Sequence, residues 1–104
     1  MRRGTTPYFN VKVKSADLDG AHVSVTIRQG EVTIEKTGKE LLIIRNERSS
    51  QLQFKLTQEE TLKLKAGKAV LQARWIEPDG TAYASRCINV KISDILNGEV
   101  VYYG

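Results

Sequence analysis

Val70-Leu71-Gln72-Ala73-Arg74-Trp75-Ile76-Glu77-Pro78-Asp79-Gly80-Thr81-Ala82-Tyr83-Ala84-Ser85-Arg86-Cys87-Ile88-Asn89-Val90-Lys91-Ile92 decides how the chain is read. Two extended runs flank Pro78-Asp79-Gly80. Proline presets φ for the first central turn position, Asp suits the second, and Gly80 takes the left-handed conformation that closes a short hairpin loop. If Glu77 pairs with Thr81, then Trp75 faces Tyr83, Ala73 faces Ser85 and Leu71 faces Cys87, on an apolar face that should be core. Gln72, Arg74, Ala84 and Arg86 then face solvent. Ile88, Val90 and Ile92 lie in the opposite phase from Tyr83 and Cys87, and a one-residue slip flips every side chain. The conflict predicts a β-bulge or sharp bend near Arg86-Cys87, or burial of both faces there.

Working outward, the same period of two recurs. Phe9, Val11 and Val13 alternate with Asn10, Lys12 and Lys14, and Val23, Val25 and Ile27 mark a second strand. Between them Ser15 to Gly20 reads as a turn with Leu18 as its plug. Gln29-Gly30 breaks the second strand, Val32 and Ile34 begin a third, and Thr37-Gly38 ends it. Leu41-Leu42-Ile43-Ile44 is a continuous apolar run, too short for a typical helix; it suits a strand covered on both faces or one at a protein contact. After a polar turn at Asn46 to Ser50, Leu52, Phe54 and Leu56 alternate with Gln51, Gln53 and Lys55. Thr57-Gln58-Glu59-Glu60 has the Thr-x-x-Glu spacing of a capping box, which suits a single helical turn.

The chain closes on Val100-Val101-Tyr102-Tyr103, apolar where terminal residues are usually polar and frayed. Two alternatives stand: docking on its own domain as an edge strand, or packing on another subunit. Short strands with turns about every ten residues and at most one helical turn, near Thr57-Glu60, describe an all-β fold. The expectation is an antiparallel immunoglobulin-like β-sandwich of about seven to nine strands, with a small closed barrel as the second choice. Residues 1–104 form one domain, with residues 1–6 as a flexible basic arm and 98–104 as an apolar tail.

Composition bounds the function. The chain has 104 residues, 40% of them hydrophobic and 27% charged, and a formal net charge of +4. That describes an ordinary globule, long enough to bury roughly 65% of its unfolded surface. One cysteine excludes an intrachain disulfide and favours a reducing interior. Arg2 and Arg3 precede no apolar h-region, so no export signal is read, and no apolar run approaches the ~20 residues of a membrane span.

Candidate chemistry is sparse. One His and one Cys cannot make a four-ligand zinc site. His22 reads as a strand-end polar residue and Cys87 as a small buried hydrophobe without a base nearby. The glycines sit singly at turns, no phosphate-binding glycine motif occurs, and the aspartates lack calcium-loop spacing. The expectation is no enzyme, no cofactor, no metal and no small-molecule substrate. Nucleic-acid binding would use Arg2, Arg3 and the corner Lys63/Lys65/Lys68, with Arg45 and Arg48 on a loop. Single-strand binders, however, interleave charge with exposed aromatics, which this chain does not. Carbohydrate binding would need aromatics on loop tips or a flat face, and apart from Tyr102 and Tyr103 none is evident. Trp75 and Tyr83 are assigned to the core.

Gln53-Phe54-Lys55-Leu56-Thr57-Gln58-Glu59-Glu60-Thr61-Leu62, then Gly67, Gln72-Ala73-Arg74-Trp75, Asp79-Gly80 and Ala84-Ser85 resemble small proteins encoded by bacteriophages and prophages. The likeness extends to Asp17-Leu18, Thr26-Ile27-Arg28-Gln29-Gly30 and Ile95-Leu96. It implies an immunoglobulin-like sandwich serving as a virion or tail-associated piece, assembled in the bacterial cytoplasm, without catalytic residues to carry over. The expected partners are other subunits, either copies of this chain or phage structural proteins. The expected contact residues are Val100, Val101, Tyr102 and Tyr103, then Leu41, Leu42, Ile43 and Ile44, acting by strand addition. Nucleic acid and membrane are not expected partners.

Overall fold

The structure, a computed structural model, describes residues 1–14, 18, 20–45 and 49–103. The turns expected at 15–20 and 46–50, with Arg48, fall largely outside the described residues. Among the described residues eight strands form: β1 (Tyr8–Lys14), β2 (His22–Gln29), β3 (Val32–Thr37), β4 (Leu42–Arg45), β5 (Ser49–Lys55), β6 (Gly67–Ile76), β7 (Ala82–Ala84) and β8 (Ile88–Ile92). One sheet has the order β1-β5-β4; the other runs β3-β2-β6, with β7 and β8 both paired to β6. All of these pairings are antiparallel. With β1 to β6 as strands B, C, C′, D, E and F, and β7 and β8 as a divided G, the orders are B-E-D and C′-C-F-G. That is the immunoglobulin arrangement without its first strand.

Alternation explains the core. Val11 and Val13, Val23, Val25 and Ile27, Leu52, Phe54 and Leu56, and Leu71 with Ala73 are buried between the sheets, and Leu18 is buried with them. Each fully buried Leu or Ile contributes roughly 1.5–3 kcal/mol of transfer free energy. Phe9 stacks on its cross-strand partner Phe54 at 5.1 Å between ring centroids.

The hairpin forms in the expected register. Glu77 N–H donates to Thr81 O, Gly80 N–H donates to Glu77 O (both 2.9 Å), and Gly80 has φ +91°. Trp75 pairs with Tyr83, and Ser85 N–H donates to Ala73 O at 2.8 Å. Leu71, however, pairs with Ile88. Arg86 and Cys87 on the returning chain thus oppose Gln72 alone, which is a β-bulge at the expected place. The extra residue turns Ile88, Val90 and Ile92 back toward the inner face, and Ile92 is buried. The Gln72 carboxamide donates to Ser85 O at 2.9 Å, and Ser85 Oγ accepts from Ala73 N–H at 3.0 Å. Cys87, expected inside, is exposed because it sits in the bulge.

The capping box at Thr57 starts the five-residue helix α1 (Gln58–Leu62): Glu60 N–H donates to Thr57 Oγ1 at 3.1 Å, and Thr57 N–H donates to Glu60 Oε1 at 2.9 Å. Thr37-Gly38-Lys39-Glu40 repeats the spacing around a 3₁₀ turn, Gly38–Glu40, that strand alternation alone had not suggested.

Both ends of the chain differ from expectation. Residues 1–3 are fastened rather than free: Arg2 forms a parallel bridge with Ser93, and Arg3 N–H donates to Ser93 O at 2.9 Å. The Arg3 guanidinium donates to the carbonyls of Leu62 and Leu64 and pairs with Asp94 at 2.7 Å. Of the tail, the described residues 98–103 do not add a strand to their own domain.

Candidate functional site: an edge strand, a cleft and an exposed tail

β4 ends its sheet and is apolar on both faces. Opposite Gln53 and Gln51 of β5, Leu42 and Ile44 point outward and are 59% and 38% exposed. Leu41 and Ile43 point the other way, buried and half-buried. The expectation of cover on both faces therefore fails on the outer side. Among the described residues β4 has a strand on one side alone, β5, and a sheet edge beside an apolar surface is the combination that templates another strand.

The edge strand of the other sheet is built differently. Lys36 on β3 points inward and is buried, with Nζ 2.8 Å from Glu60 and 3.5 Å from Glu40. Both glutamates belong to the capping boxes, so one lysine ties the two turns together. Partial burial pushes the Glu60 carboxyl up, but hydrogen bonds from Lys36 and from the Thr57 amide, with the lysine charge, hold it below the usual carboxylate range. Burial lowers Lys36, and the two carboxylates outweigh it, so its ammonium titrates above the usual lysine value.

Behind β4 an open cleft of about 630 Å³ enters the sandwich, lined by Val23, Leu41, Ile43, Trp75 and Tyr83 with Thr37 and Gly38 at its rim. Its size is that of a small-ligand or side-chain pocket. The Trp75 and Tyr83 rings stack at 5.6 Å and 17°. Both were expected in the core, yet Trp75 is only half-buried and Tyr83 is 45% exposed. The three-stranded sheet does not cover the β6–β7 end of its wider partner. No sequence signal showed this, because it depends on which strands pair.

Of the expected contact residues at the end of the chain, Val100 is half-buried while Val101, Tyr102 and Tyr103 are exposed, Tyr102 to 82%. The Val101 peptide is held at both ends by one side chain. Val101 N–H donates to Gln58 Oε1 at 2.9 Å, and Gln58 Nε2 donates to Val101 O at 2.8 Å. A carboxamide stands where a neighbouring strand would be.

The expected arm and the lysine corner meet, because the Arg3 guanidinium donates to the carbonyls of Leu62 and Leu64 on either side of Lys63. Arg2 and Arg3 are engaged in the fastening just described, Arg2 through Asp94 O at 2.8 Å as well. Lys63, Lys65 and Lys68 are exposed, and the Gln29 carboxamide holds the Lys65 backbone through N–H and carbonyl at 2.7 and 2.9 Å. His22 lies exposed at the start of β2. Among the described residues no three His, Cys, Asp or Glu side chains group as a metal site, and no helix is long and apolar enough to cross a membrane.

No protein-family model and no curated protein matches the chain. Among solved structures, the chain is similar to part of an uncharacterized protein from Listeria monocytogenes, crystallised in complex with α-D-glucose, β-D-glucose, magnesium and calcium. The TM-score is 0.57 at 15% identity, over 88% of this chain but only 8% of that one. At that identity the likeness concerns the fold alone.

Proposed function

We propose that the chain is a non-enzymatic interaction module that binds protein partners by strand addition at β4. The observation that carries this reading is an edge strand exposing Leu42 and Ile44 with no inward charge to deter pairing. The resemblance to phage-encoded proteins supplies the setting, a virion or tail component assembled in a bacterial host, and is its only support. Immobilised chain, wild type and Leu42→Lys/Ile44→Lys, should be exposed to extract of the source organism. A partner retained by the first and lost from the second supports docking at β4. Identical retention by both sinks it.

A second reading is carbohydrate binding at the cleft. It draws on the partly exposed Trp75–Tyr83 stack, a surface of the kind sugar rings pack on, and on the glucose held by the Listeria protein. The sole tryptophan lines the cleft, so its emission during a glucose titration reads occupancy directly. An unchanged spectrum at molar glucose removes this reading. Nucleic-acid binding would use the exposed lysines 63, 65 and 68 beside the fastened Arg2 and Arg3; absence of a low-salt mobility shift eliminates it.

A further inference from the structure

We infer that the outer face of the five-stranded sheet holds a binding site for a phosphate group, at Arg28, Lys68, Asn89 and Lys91. The site lies on the opposite sheet from β4 and is independent of the interaction-module reading. Its mark is a pairing that sheets avoid. Lys68 of β6 stands directly opposite Lys91 of β8, and like charges so placed destabilise a sheet. Ala69 and Ile92 beside them are buried, so both lysines point outward, and both are exposed. In the next cross-strand row Arg28, Val70 and Asn89 lie side by side, with Arg28 exposed. Arg28 is the diagonal neighbour of Lys68, within reach of a long side chain. None of the three cations has a carboxylate at ion-pair distance among the described residues.

Protection of a sheet edge does not account for the lysine pair. Lysines guard strands that lack a neighbour, whereas β6 has β2 on one side and β8 on the other. The backbone beneath the pair is also held. The Gln29 carboxamide donates to Lys68 O at 3.4 Å, and Arg2 bridges Ser93 just beyond β8. Beside the two ammonium groups the surface opens into a cleft of about 500 Å³, lined by Gly67, Lys68, Asn89, Lys91 and Ile92. The donor set selects the ligand. Two ammonium groups, a guanidinium and a carboxamide offer N–H donors and positive charge, so the ligand is an anion. Donors on three strands, β2, β6 and β8, suit the three acceptor oxygens of a phosphate group better than the two of a carboxylate. Neither row carries an aromatic residue on which a base could stack. The patch therefore reads the phosphate, and the open cleft leaves room for whatever carries it.

Urea denaturation of the full chain tests this, with inorganic phosphate as the probe and sodium chloride at matched ionic strength as the control. A ligand bound by the folded state alone stabilises it by mass action. The wild-type midpoint should rise with phosphate and saturate, with a dissociation constant of about 1–10 mM for so exposed a site. Phosphate also stabilises proteins generally by exclusion from their surface, so the deciding quantity is the difference between wild type and Lys91→Glu. That variant turns the like pair into an opposite one. Without phosphate its midpoint should exceed that of wild type, and its phosphate affinity should fall at least about tenfold. A lower midpoint would show that the pair carries no strain and remove the mark on which the site rests. Lys68→Gln should also lose the response, while Lys12→Gln, on the other sheet, should keep it. A nucleoside monophosphate separates the sources. Affinity equal to that of inorganic phosphate assigns the site to the phosphate alone, and tighter binding gives the cleft to the rest of the ligand; both uphold the site. Chloride acting as strongly as phosphate, or Lys91→Glu responding as wild type does, overturns it, and neither result bears on docking at β4.

Discussion

β3 and β4 follow one another in the chain, end different sheets and treat their open edges in opposite ways. β3 turns Lys36 inward to Glu60 and Glu40, so a strand arriving there would disturb a buried ion pair. At β4, Ile43 and the preceding Leu41 turn inward and Leu42 and Ile44 outward, so an arriving strand meets apolar side chains where β3 has a buried charge. The same fold problem, an unpaired backbone row, is closed off on one side and left available on the other. Shortness alone limits what β4 can template.

The comparison can be broken most forcefully at Lys36. Lys36→Met strands the Glu60 carboxylate, which is 22% exposed, and should cost about 2 kcal/mol by urea denaturation, somewhat less than a fully buried pair. Adding Glu60→Gln should recover much of that loss, and the double variant should associate through β3 as well, which sedimentation would show. Recovery without new association would mean that Lys36 stabilises β3 but does not guard it.

Moving the guard is the converse experiment. Ile43→Lys places a lysine on the cleft side of β4 with no carboxylate prepared for it. We expect a loss of about 1–2 kcal/mol, softened by the open cleft through which the ammonium can reach water, together with loss of partner binding at β4. Persistent association would show that an inward charge does not protect this edge.

Acidity probes the ion pair without mutation. Glu60 is held below its usual range, so its contribution is complete above the unfolded-state value and is lost as pH falls through the folded value. Lys36 is raised, so its contribution is complete below the usual lysine value and fades only as pH rises through the higher folded one. Denaturation midpoints should therefore be flat between these limits and fall on the acid side, with the acid fall reduced in Glu60→Gln. An equal fall in that variant would assign acid sensitivity elsewhere, Asp94 beside Arg3 being the next carboxylate.

The smallest effect is expected at the tail. Gln58→Ala removes two exposed hydrogen bonds and should change global stability by under about 0.5 kcal/mol, while amide exchange at Val101 accelerates. Unchanged exchange would show that the carboxamide does not hold the segment.

Much of the fold was legible in the residues. Alternation located Val11, Val25, Leu52 and Leu71 as core, and Pro78-Asp79-Gly80 set the hairpin register. The phase conflict between Tyr83 and Ile88 placed the bulge at Arg86-Cys87, although Cys87 itself was wrongly put inside. Thr57-x-x-Glu60 was read as a cap, while the identical spacing at Thr37-x-x-Glu40 was passed over because β3 alternation ran into it. The site was only half legible. Leu41 to Ile44 and Val100 to Tyr103 stood out as apolar runs, but the cleft at Trp75 and Tyr83 did not, and Arg2 and Arg3 looked free when they bind the ends of β8 and α1.

Periodicity and turn chemistry are properties of neighbouring residues, so the sequence by itself determined the strands, the hairpin, the bulge and the all-β class. Which strands end a sheet, how far one sheet covers the other and which charges meet across the sandwich depend on pairings between residues far apart in the chain. Only the tertiary structure decided that Lys36 seals β3, that β4 stays open, and that the aromatic pair of the hairpin lies at the mouth of a cleft rather than in the core.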